Sequence, residues 1–593
     1  MADGEASGAY REFKALVEAA DRKFARARDL PLYGGGDHHS RKAFKAYTRL
    51  WRLQQERRRE LVAGGLRRWE IGELASRIGQ LYYARYLRTA EPRSLVGAYV
   101  FYEAIYSRGY FAAAASGGAG AGAGDGRHQG LLIRYKELRF IARFLVVAML
   151  MRRAQAVEHL STRLRALVEE TKSAYPKTNF KEWKQVLQEL GRFLKADGAY
   201  KASRSLRYDN LFDSYPSNLA SIARFHSKRV LKLKEAVLTS YRRNEVKFTE
   251  LTLDAFRMLQ CLEWEPTGSY QIAARELTEN GTISDQSGPS GLIDIHLSSE
   301  ISDGSLPSNP QKAIIYRPTV SHLLAVLATI CEELSQDSIL LVYISASGLA
   351  EPNIASQKYA SSSSSHSKAV SSDNHLWLGP RGSGGPNNLY PEDLIPFTRY
   401  PLFLVIDSEN SHAFKAGLSE LNLGTIHNAE KGEPAAILLS PRISSAMPGA
   451  ESTAHGSQFT YFLTAPMQAF CQLAGITSDI DTDTYANAEN ILVSALEEYE
   501  GILCTSVGLN NVWGQILPDP FLRRLILRFI FCRAVLFYFH QEEQEQHLPT
   551  CLPSLPESVS PNAEAIKTPI LLLAENFVVS NRFHFRNSIR NKK

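Results

Sequence analysis

The spacing of apolar residues divides the chain into a helical half and a half in which strands and helices alternate. Through about the first 260 residues apolar side chains recur at spacings of three and four, as in amphipathic helices. Beyond residue 311, short continuous apolar runs alternate with helical segments. Such runs indicate a parallel sheet covered on both faces. We therefore predict a mixed fold, with an N-terminal all-α helical repeat and a C-terminal α/β domain that has a parallel sheet and extra helices.

The N-terminal helices combine small residues with large aromatic ones. In the stretch Leu74–Phe111, Gly79 and Ala98 are interleaved with tyrosines such as Tyr82. A small residue lets two helices approach closely, and an aromatic ring fills the space opposite, as in tetratricopeptide hairpins. The period is irregular, so we predict a tetratricopeptide-like domain, in which Trp69 and Tyr82 are core residues.

Four short apolar runs are the predicted strands of the C-terminal sheet. They are Lys312–Thr319, Ser338–Gly348, Pro401–Ser411 and Ala435–Pro441. The most apolar long run, Phe521–Phe539, contains four arginines, and each would be costly in the middle of a bilayer. It is therefore interpreted as a buried amphipathic helix, and no membrane partner is expected.

Segments rich in Gly, Ser, Asp and Pro set the expected domain limits, because they have too little apolar content to pack. We predict a helical-repeat domain at 1–264, with a flexible loop at 112–126. A disordered linker at 265–310 joins it to an α/β domain at 311–580, which has a largely disordered insertion at 351–396. The chain then ends in a basic tail at 581–593.

Charge and cysteine content narrow the classes of function. Residues 1–250 hold 47 Lys and Arg against 26 Asp and Glu, a net charge of +21, and the remaining residues carry −15. This split indicates either two halves that complement each other or a weak contact with nucleic acid or chromatin. The six cysteines form no close pair, and no signal peptide is recognised at the N-terminus. Reduced cysteines in an intracellular protein are expected.

Polar side chains follow the predicted strands at the edge where parallel sheets bind ligands. Asp407 and Ser411 come directly after one buried run, and Ser345 and Ser347 end the neighbouring one. These four residues are the candidate ligand site.

Two interpretations of Asp407 stay open. Asp407 and Ser411 match the first and last positions of the DxSxS loop of metal-binding von Willebrand type A domains, but Glu409 stands at the middle position. A carboxylate can bind Mg²⁺ there, which would make the chain a metal-dependent α/β enzyme. Alternatively, Asp407 caps the following helix, helped by Ser408 or Asn410.

Other catalytic signatures are absent from the sequence. It contains no GxSxG or HExxH motif, and His38 and His39, in a predicted Gly-rich loop, have no partner at ligand spacing. We therefore predict no catalytic residue, no metal site and no cofactor.

Several unusual stretches resemble the SCAI family (suppressor of cancer cell invasion) and suggest a distant, plant-like member. They are Arg28–Gly34, Ala46–Arg58, Leu66–Thr89, Glu245–Pro266, Asp393–Ser411 and Phe521–Ala534. The resemblance implies a nuclear cofactor without enzymatic activity, present in the nucleus and secondarily in the cytoplasm. Animal members are similar to transcriptional corepressors that bind a myocardin-related coactivator, and they also act in DNA double-strand break repair. The implied partners are proteins, and the oligomeric state is open.

Overall fold

The structure is a computed structural model, and it divides into two compact units. The first comprises Met1–Leu194, Val246–Leu251 and Pro266–Ala313, and the second comprises Lys195–Glu245, Thr252–Glu265 and Ile314–Lys593. The residues that it describes are 2–29, 36–111, 125–197, 206–226, 229–241, 250–265, 308–348, 375–380, 386–415, 435–443, 456–476, 480–540 and 545–585.

Eight helices follow one another along residues 2–197. They are α1 (Ala2–Asp29), α2 (Gly36–Glu56), α3 (Arg58–Ala63), α4 (Arg68–Thr89), α5 (Pro92–Ser107), α6 (Asp125–Leu150), α7 (Ala154–Ala174) and α8 (Lys181–Asp197). Neighbours pack in pairs, α1 with α2, α4 with α5 and α6 with α7. This half is helical as predicted, but a tetratricopeptide-like repeat is not confirmed, because the helices vary from 6 to 28 residues.

The α4–α5 pair has the predicted combination of small and large residues. A Cβ atom on Gly79 would lie 2.6 Å from the ring of Tyr102, and one on Gly97 would lie 2.9 Å from the ring of Tyr82. The two helices can approach this closely because both positions lack a side chain. The prediction that Trp69 and Tyr82 are core residues holds only in part, since both are half-buried. Both side chains are large, so part of each ring extends beyond the contact between the paired helices and meets solvent.

The second unit is built on a six-stranded sheet in the order β2-β1-β3-β6-β7-β8. The strands are β1 (Lys232–Tyr241), β2 (Gln311–Tyr316), β3 (Ser338–Ala346), β6 (Leu402–Ser408), β7 (Ala436–Leu439) and β8 (Thr550–Leu552). The pairs β1–β3, β3–β6 and β6–β7 are parallel, and β8 lies antiparallel to β7. The predicted parallel sheet is therefore confirmed as the dominant part of a mixed sheet, and the four predicted strands are β2, β3, β6 and β7.

Strand β1 corrects the expectation that the chain is helical up to about residue 260. Its first residues alternate between exposed and buried, and its last six are all buried beside β3. Residues 195–245 and 252–265 consequently belong to the unit that carries the sheet, whereas the predicted limit between the domains lies at residue 264. Apolar spacing alone did not separate this buried strand from a helix.

Helices of the second unit surround the sheet. They are α9 (Asn210–Asp213), α10 (Leu219–Ala223), α11 (Leu253–Cys261), α12 (Val320–Glu333), α13 (Pro391–Leu394), α14 (Gln458–Thr464), α15 (Pro466–Leu473), α16 (Thr482–Thr505), α17 (Asn511–Ile516), α18 (Pro520–Phe539) and α19 (Glu564–Asn576). Helix α18 is buried along most of its length, as predicted. Among the described helices, none is both long and apolar enough to span a bilayer.

The segments that were predicted to be unstructured fall mostly outside the described residues. This holds for 112–124, 266–307, 351–374 and 381–385. The end of the predicted basic tail, 586–593, also lies outside the described residues. Two described parts differ from the prediction. Residues 125 and 126 already belong to α6, and the insertion at 351–396 contributes the antiparallel strands β4 (Leu376–Trp377) and β5 (Asn388–Leu389).

Candidate functional site

The carboxyl ends of the central strands bring three polar residues into one row. Ser240 of β1 lies opposite Ser345 of β3, and Ser345 lies opposite Asp407 of β6. All three are buried, with at most 3% of their surface exposed. The register therefore places the predicted residues Asp407 and Ser345 side by side and adds Ser240, which the sequence analysis did not single out. Their burial restricts their contacts to other groups of the protein.

A helix of the same unit supplies the partner of Asp407. Thr460, on α14, donates its hydroxyl hydrogen to Oδ2 of Asp407. The Thr460 hydroxyl also lies 2.6 Å from the hydroxyl of Tyr343, on β3. Thr464 donates to the backbone carbonyl of Thr460 at 2.8 Å. Because Thr460 and Tyr343 are fully buried, these bonds hold Asp407 inside the protein and satisfy polar groups that would otherwise be buried without a partner.

A buried arginine and aspartate continue the polar network on the other side of α14. The Arg257 guanidinium lies 3.8 Å from the centroid of the Tyr461 ring and 3.9 Å from the Asp254 carboxylate. Both carboxylate oxygens of Asp254 also accept from the backbone N–H of Ser457, just before α14, in one bifurcated hydrogen bond at 3.0 and 3.1 Å. Burial lowers the pKa of Arg257, while Tyr461, Asp254 and Tyr343 act in the opposite direction. The network thus fixes the start of the helix that carries Thr460.

The turn after β6 is closed by serine and asparagine side chains. Ser408 accepts a hydrogen bond from the backbone N–H of Asn410 at 3.2 Å, and Ser411 donates to the carbonyl of Ser440 at 2.8 Å. The Ser440 hydroxyl in turn bonds both backbone groups of Ser408, at 3.0 and 2.9 Å. The predicted helper Ser408 therefore stabilises the turn, whereas the Asp407 carboxylate reaches α14.

A segment of the predicted insertion covers the same edge of the sheet. The backbone N–H of Trp377 donates to the carbonyl of Gly348, and Asn410 donates to the carbonyl of His375 at 2.6 Å. A Cβ atom on Gly379 would lie 2.6 Å from the Tyr241 ring, so the segment follows the end of β1 closely. Ser347 lies beneath this cover, and only 8% of its surface is exposed. The edge is therefore filled by the protein itself.

The proposed DxSxS-like arrangement does not bring its three residues together as ligands. Asp407 and Ser411 are buried and bonded to protein groups, whereas Glu409 is exposed. Within the described ranges, no group of three or more His, Cys, Asp or Glu side chains is placed to hold a metal ion. His38 and His39, which were expected in a loop, lie in the first turn of α2 with their ring centroids 5.5 Å apart.

The apolar helix α18 holds a buried ionic network that the sequence analysis did not identify. Arg523 lies 2.9 Å from Glu500, and Arg524 lies 3.3 Å from Asp213. Arg528 donates to two backbone carbonyls at the end of α14, at 3.1 and 2.7 Å. The signal was available in the sequence, because arginines inside an apolar helix require buried acceptors.

Comparison with known proteins identifies relatives along nearly the whole chain. The family model described as Protein SCAI matches residues 15–542. Protein SCAI of Homo sapiens is 31% identical over 592 residues, which cover 98% of this chain and 90% of the human protein. Protein SCAI of Mus musculus is similar to the same extent. The Protein SCAI homolog of Dictyostelium discoideum is 27% identical over 724 residues, with 97% of this chain and 90% of that protein covered.

Proposed function

The chain belongs to the SCAI family, and on that premise we propose that it is a non-enzymatic scaffold for protein–protein interaction. The observation that supports the proposal best is the closed edge of the parallel sheet. In α/β enzymes this edge holds the ligand, but here Asp407 is buried against Thr460 and the Trp377 segment covers the strand ends. Recognition of partners then falls to the outer surfaces of the helices.

The more specific part of the proposal rests on the resemblance of the sequence to the SCAI family. We propose a nuclear cofactor, secondarily present in the cytoplasm, which acts as a transcriptional corepressor and in repair of DNA double-strand breaks. Its partners are proteins, of the coactivator and chromatin-associated classes that the resemblance implies. The closed sheet edge suits this role, because a scaffold acts by bringing partners together.

A second candidate function is a contact with nucleic acid or chromatin through the basic N-terminal half. The net charge of +21 over residues 1–250 favours it. Phosphate binding of this kind weakens steeply with salt, because counterions are released. Affinity for a random DNA duplex would therefore fall by at least about tenfold between 50 and 200 mM salt. A flat salt dependence would remove this candidate.

A metal-dependent enzyme is less well supported, because the oxygen atoms that would bind the metal ion already form hydrogen bonds within the protein. The Asp407 oxygen Oδ2 and the Ser411 hydroxyl already bond Thr460 and the carbonyl of Ser440. A metal ion would have to break these buried bonds before it could bind.

The test of the proposed function uses the intact chain with an affinity tag. Fractionation should place it mainly in the nucleus. Capture from nuclear extract should recover stoichiometric protein partners that survive nuclease treatment and 300 mM salt. Recovery of nucleic acid alone, or of no partner at all, would contradict the proposal. Nuclease treatment separates the first candidate from the second.

A further inference from the structure

Helices α16 and α19 of the second unit form an open groove with a volume of about 550 Å³. The two helices run antiparallel. The Tyr499 hydroxyl donates to the carbonyl of Ile566 at 3.2 Å, while Asn487, one end of α16, bonds Asn576 at the far end of α19 at 2.6 Å. Matching faces of the two helices line the groove over nine residues each, 490–498 and 564–572, a length of about 12 Å at the helical rise.

The floor of the groove is apolar. Ala495 of α16 and Pro569 of α19 are buried beneath it, and Ile491 and Leu572 form its walls at one end. Leu572 has 44% of its surface exposed, although it is a large apolar residue. Removing this surface from water would be favourable, at about 25 cal/mol per Å².

Proline inside α19 leaves one residue of the groove lining without its usual helical hydrogen bond. Pro569 lies inside α19 and has no N–H group. The carbonyl of Ala565, four residues earlier, therefore cannot accept the usual helical hydrogen bond from position 569. Ala565 lines the groove, so a donor from a bound chain could reach the helix at this point.

The other end of the groove is acidic. Because the helices are antiparallel, Glu498 of α16 and Glu564 of α19 line the same end. Both are exposed, and among the described residues neither has a basic side chain within ion-pair distance. Thr568 donates to Glu564 at 3.4 Å. The groove is thus apolar at one end and negative at the other.

We propose that this groove binds an amphipathic helix of a partner protein, and the inference rests on the proposed function as a scaffold. The partner helix would place apolar side chains at i, i+3 or i+4 and i+7 against Ile491, Leu572 and the floor, as in other helix-in-groove complexes. Its N-terminus, or a Lys or Arg side chain, would lie beside Glu498 and Glu564. The positive end of a helix dipole and a basic side chain both favour this orientation. Two turns of helix fill the available length.

The test uses a phage-displayed library of helical 16-residue peptides, selected on the intact protein. Peptides that bind should share the apolar spacing and carry Lys or Arg near one end. Their affinity, measured by fluorescence anisotropy, should fall at least about tenfold in the Leu572→Asp variant and in the Glu498→Lys, Glu564→Lys double variant. The second loss should be larger at low salt than at high salt.

Matched controls keep the test independent of folding. Val507→Asp changes an apolar residue outside the groove that is more exposed than Leu572, at 102% against 44%, and Glu575→Lys reverses an exposed charge of α19 that does not line it. Both controls should bind within about twofold of the wild type. Thermal melts should show that all variants fold. Enriched peptides that bind the groove variants as well as the wild type would overturn the inference, and so would selection of acidic peptides.

Two other occupants are separate outcomes, and either would overturn the inference. Self-association that the Leu572→Asp substitution abolishes, seen by sedimentation, would make a second copy the ligand. A peptide affinity that rises when residues 586–593 are removed would make the basic tail the ligand. The results that would contradict the proposed function differ from those that would contradict the groove assignment. If nuclear partners are captured equally by wild type and groove variants, only the groove assignment is lost. If peptides bind but no nuclear partner is captured, the scaffold role is lost.

Discussion

The hydrogen bond between Asp407 and Thr460 gives the sharpest prediction about the closed sheet edge. Thr460→Val keeps the shape of the side chain but removes the donor to Asp407 and the contact with the Tyr343 hydroxyl. Hydrogen bonds to charged groups contribute about 1.5–3 kcal/mol, and this one lies at a fully buried threonine. We expect Thr460→Val and Asp407→Ala each to destabilise the second unit by about 2–3 kcal/mol.

The double variant measures whether the two side chains act together. Once one partner is gone, removing the other should cost little, so the coupling free energy should be about 1.5–3 kcal/mol. Urea unfolding followed by tryptophan fluorescence includes a signal from this unit, because Trp513 is buried beside Phe403 of β6. Thr329→Val is the matched control, since its hydroxyl bonds only a helix carbonyl at an exposed site. It should change stability by less than about 0.5 kcal/mol.

A coupling free energy below about 0.5 kcal/mol would refute the reasoning. It would mean that Asp407 obtains its stabilisation elsewhere and that α14 does not close the edge through Thr460. A loss of partner binding in Thr460→Val at unchanged stability would also count against it, because the network would then serve recognition rather than folding.

Three further predictions address other buried or crowded positions. Arg524→Met should destabilise the second unit by about 3–5 kcal/mol, because the substitution leaves Asp213 buried without its nearest cation. Urea unfolding measures the loss, and a loss under about 1 kcal/mol would contradict the prediction. Burial, His547 and His584 lower the pKa of His540 to about 4, whereas an unfolded histidine titrates near 6.5. Protons then bind the unfolded state preferentially, so the free energy of unfolding is highest above about pH 6.5 and falls toward pH 4. His540→Gln should reduce this loss of stability in acid by about 1–2 kcal/mol after solvent screening. Identical stability profiles against pH in the wild type and the variant would exclude this role of His540. Gly79→Ala should cost about 1–3 kcal/mol, since the added methyl group meets a buried tyrosine ring, and an unchanged melting temperature would contradict this.

Gly191→Ala is the control for the glycine prediction. Gly191 lies inside α8, and a Cβ atom there would meet nothing within 4 Å. The substitution should therefore stabilise the helix by about 0.5–1 kcal/mol, because alanine has the higher helix propensity and restricts the unfolded chain. A loss of stability in Gly79→Ala together with a gain in Gly191→Ala would distinguish the effect of close packing from the effect of helix propensity.

The strands that could be predicted from the sequence are those with continuous apolar runs. β3 and β6 are buried on both faces, so their composition alone distinguishes them. β1 begins with Lys232 and Lys234, and its apolar half is short enough to fit a helix pattern as well. β8 has only three residues. Both strands are defined by their partners in the sheet, which a local pattern cannot show.

The candidate site was predicted in position but not in its surroundings. The sequence places Asp407, Ser345 and Ser411 at strand ends, and the parallel register then brings Asp407 and Ser345 together. Thr460 is 53 residues away along the chain and follows no motif, so its role depends on how α14 packs over the sheet. The same holds for the cover at Trp377, in a segment of low apolar content. Long-range packing decides whether a polar strand end binds a ligand or a neighbour.

The central claim is that the carboxyl edge of the sheet belongs to the folded core and binds no metal ion. Melting curves of the wild type and of Asp407→Asn, each in Mg²⁺ and in chelator, test it most directly. We expect Mg²⁺ to leave the melting temperature of both proteins unchanged, while Asp407→Asn lowers it equally in both solutions. A melting temperature that rises with Mg²⁺ in the wild type and not in Asp407→Asn would show that the edge binds the ion, because a ligand stabilises only the state that binds it.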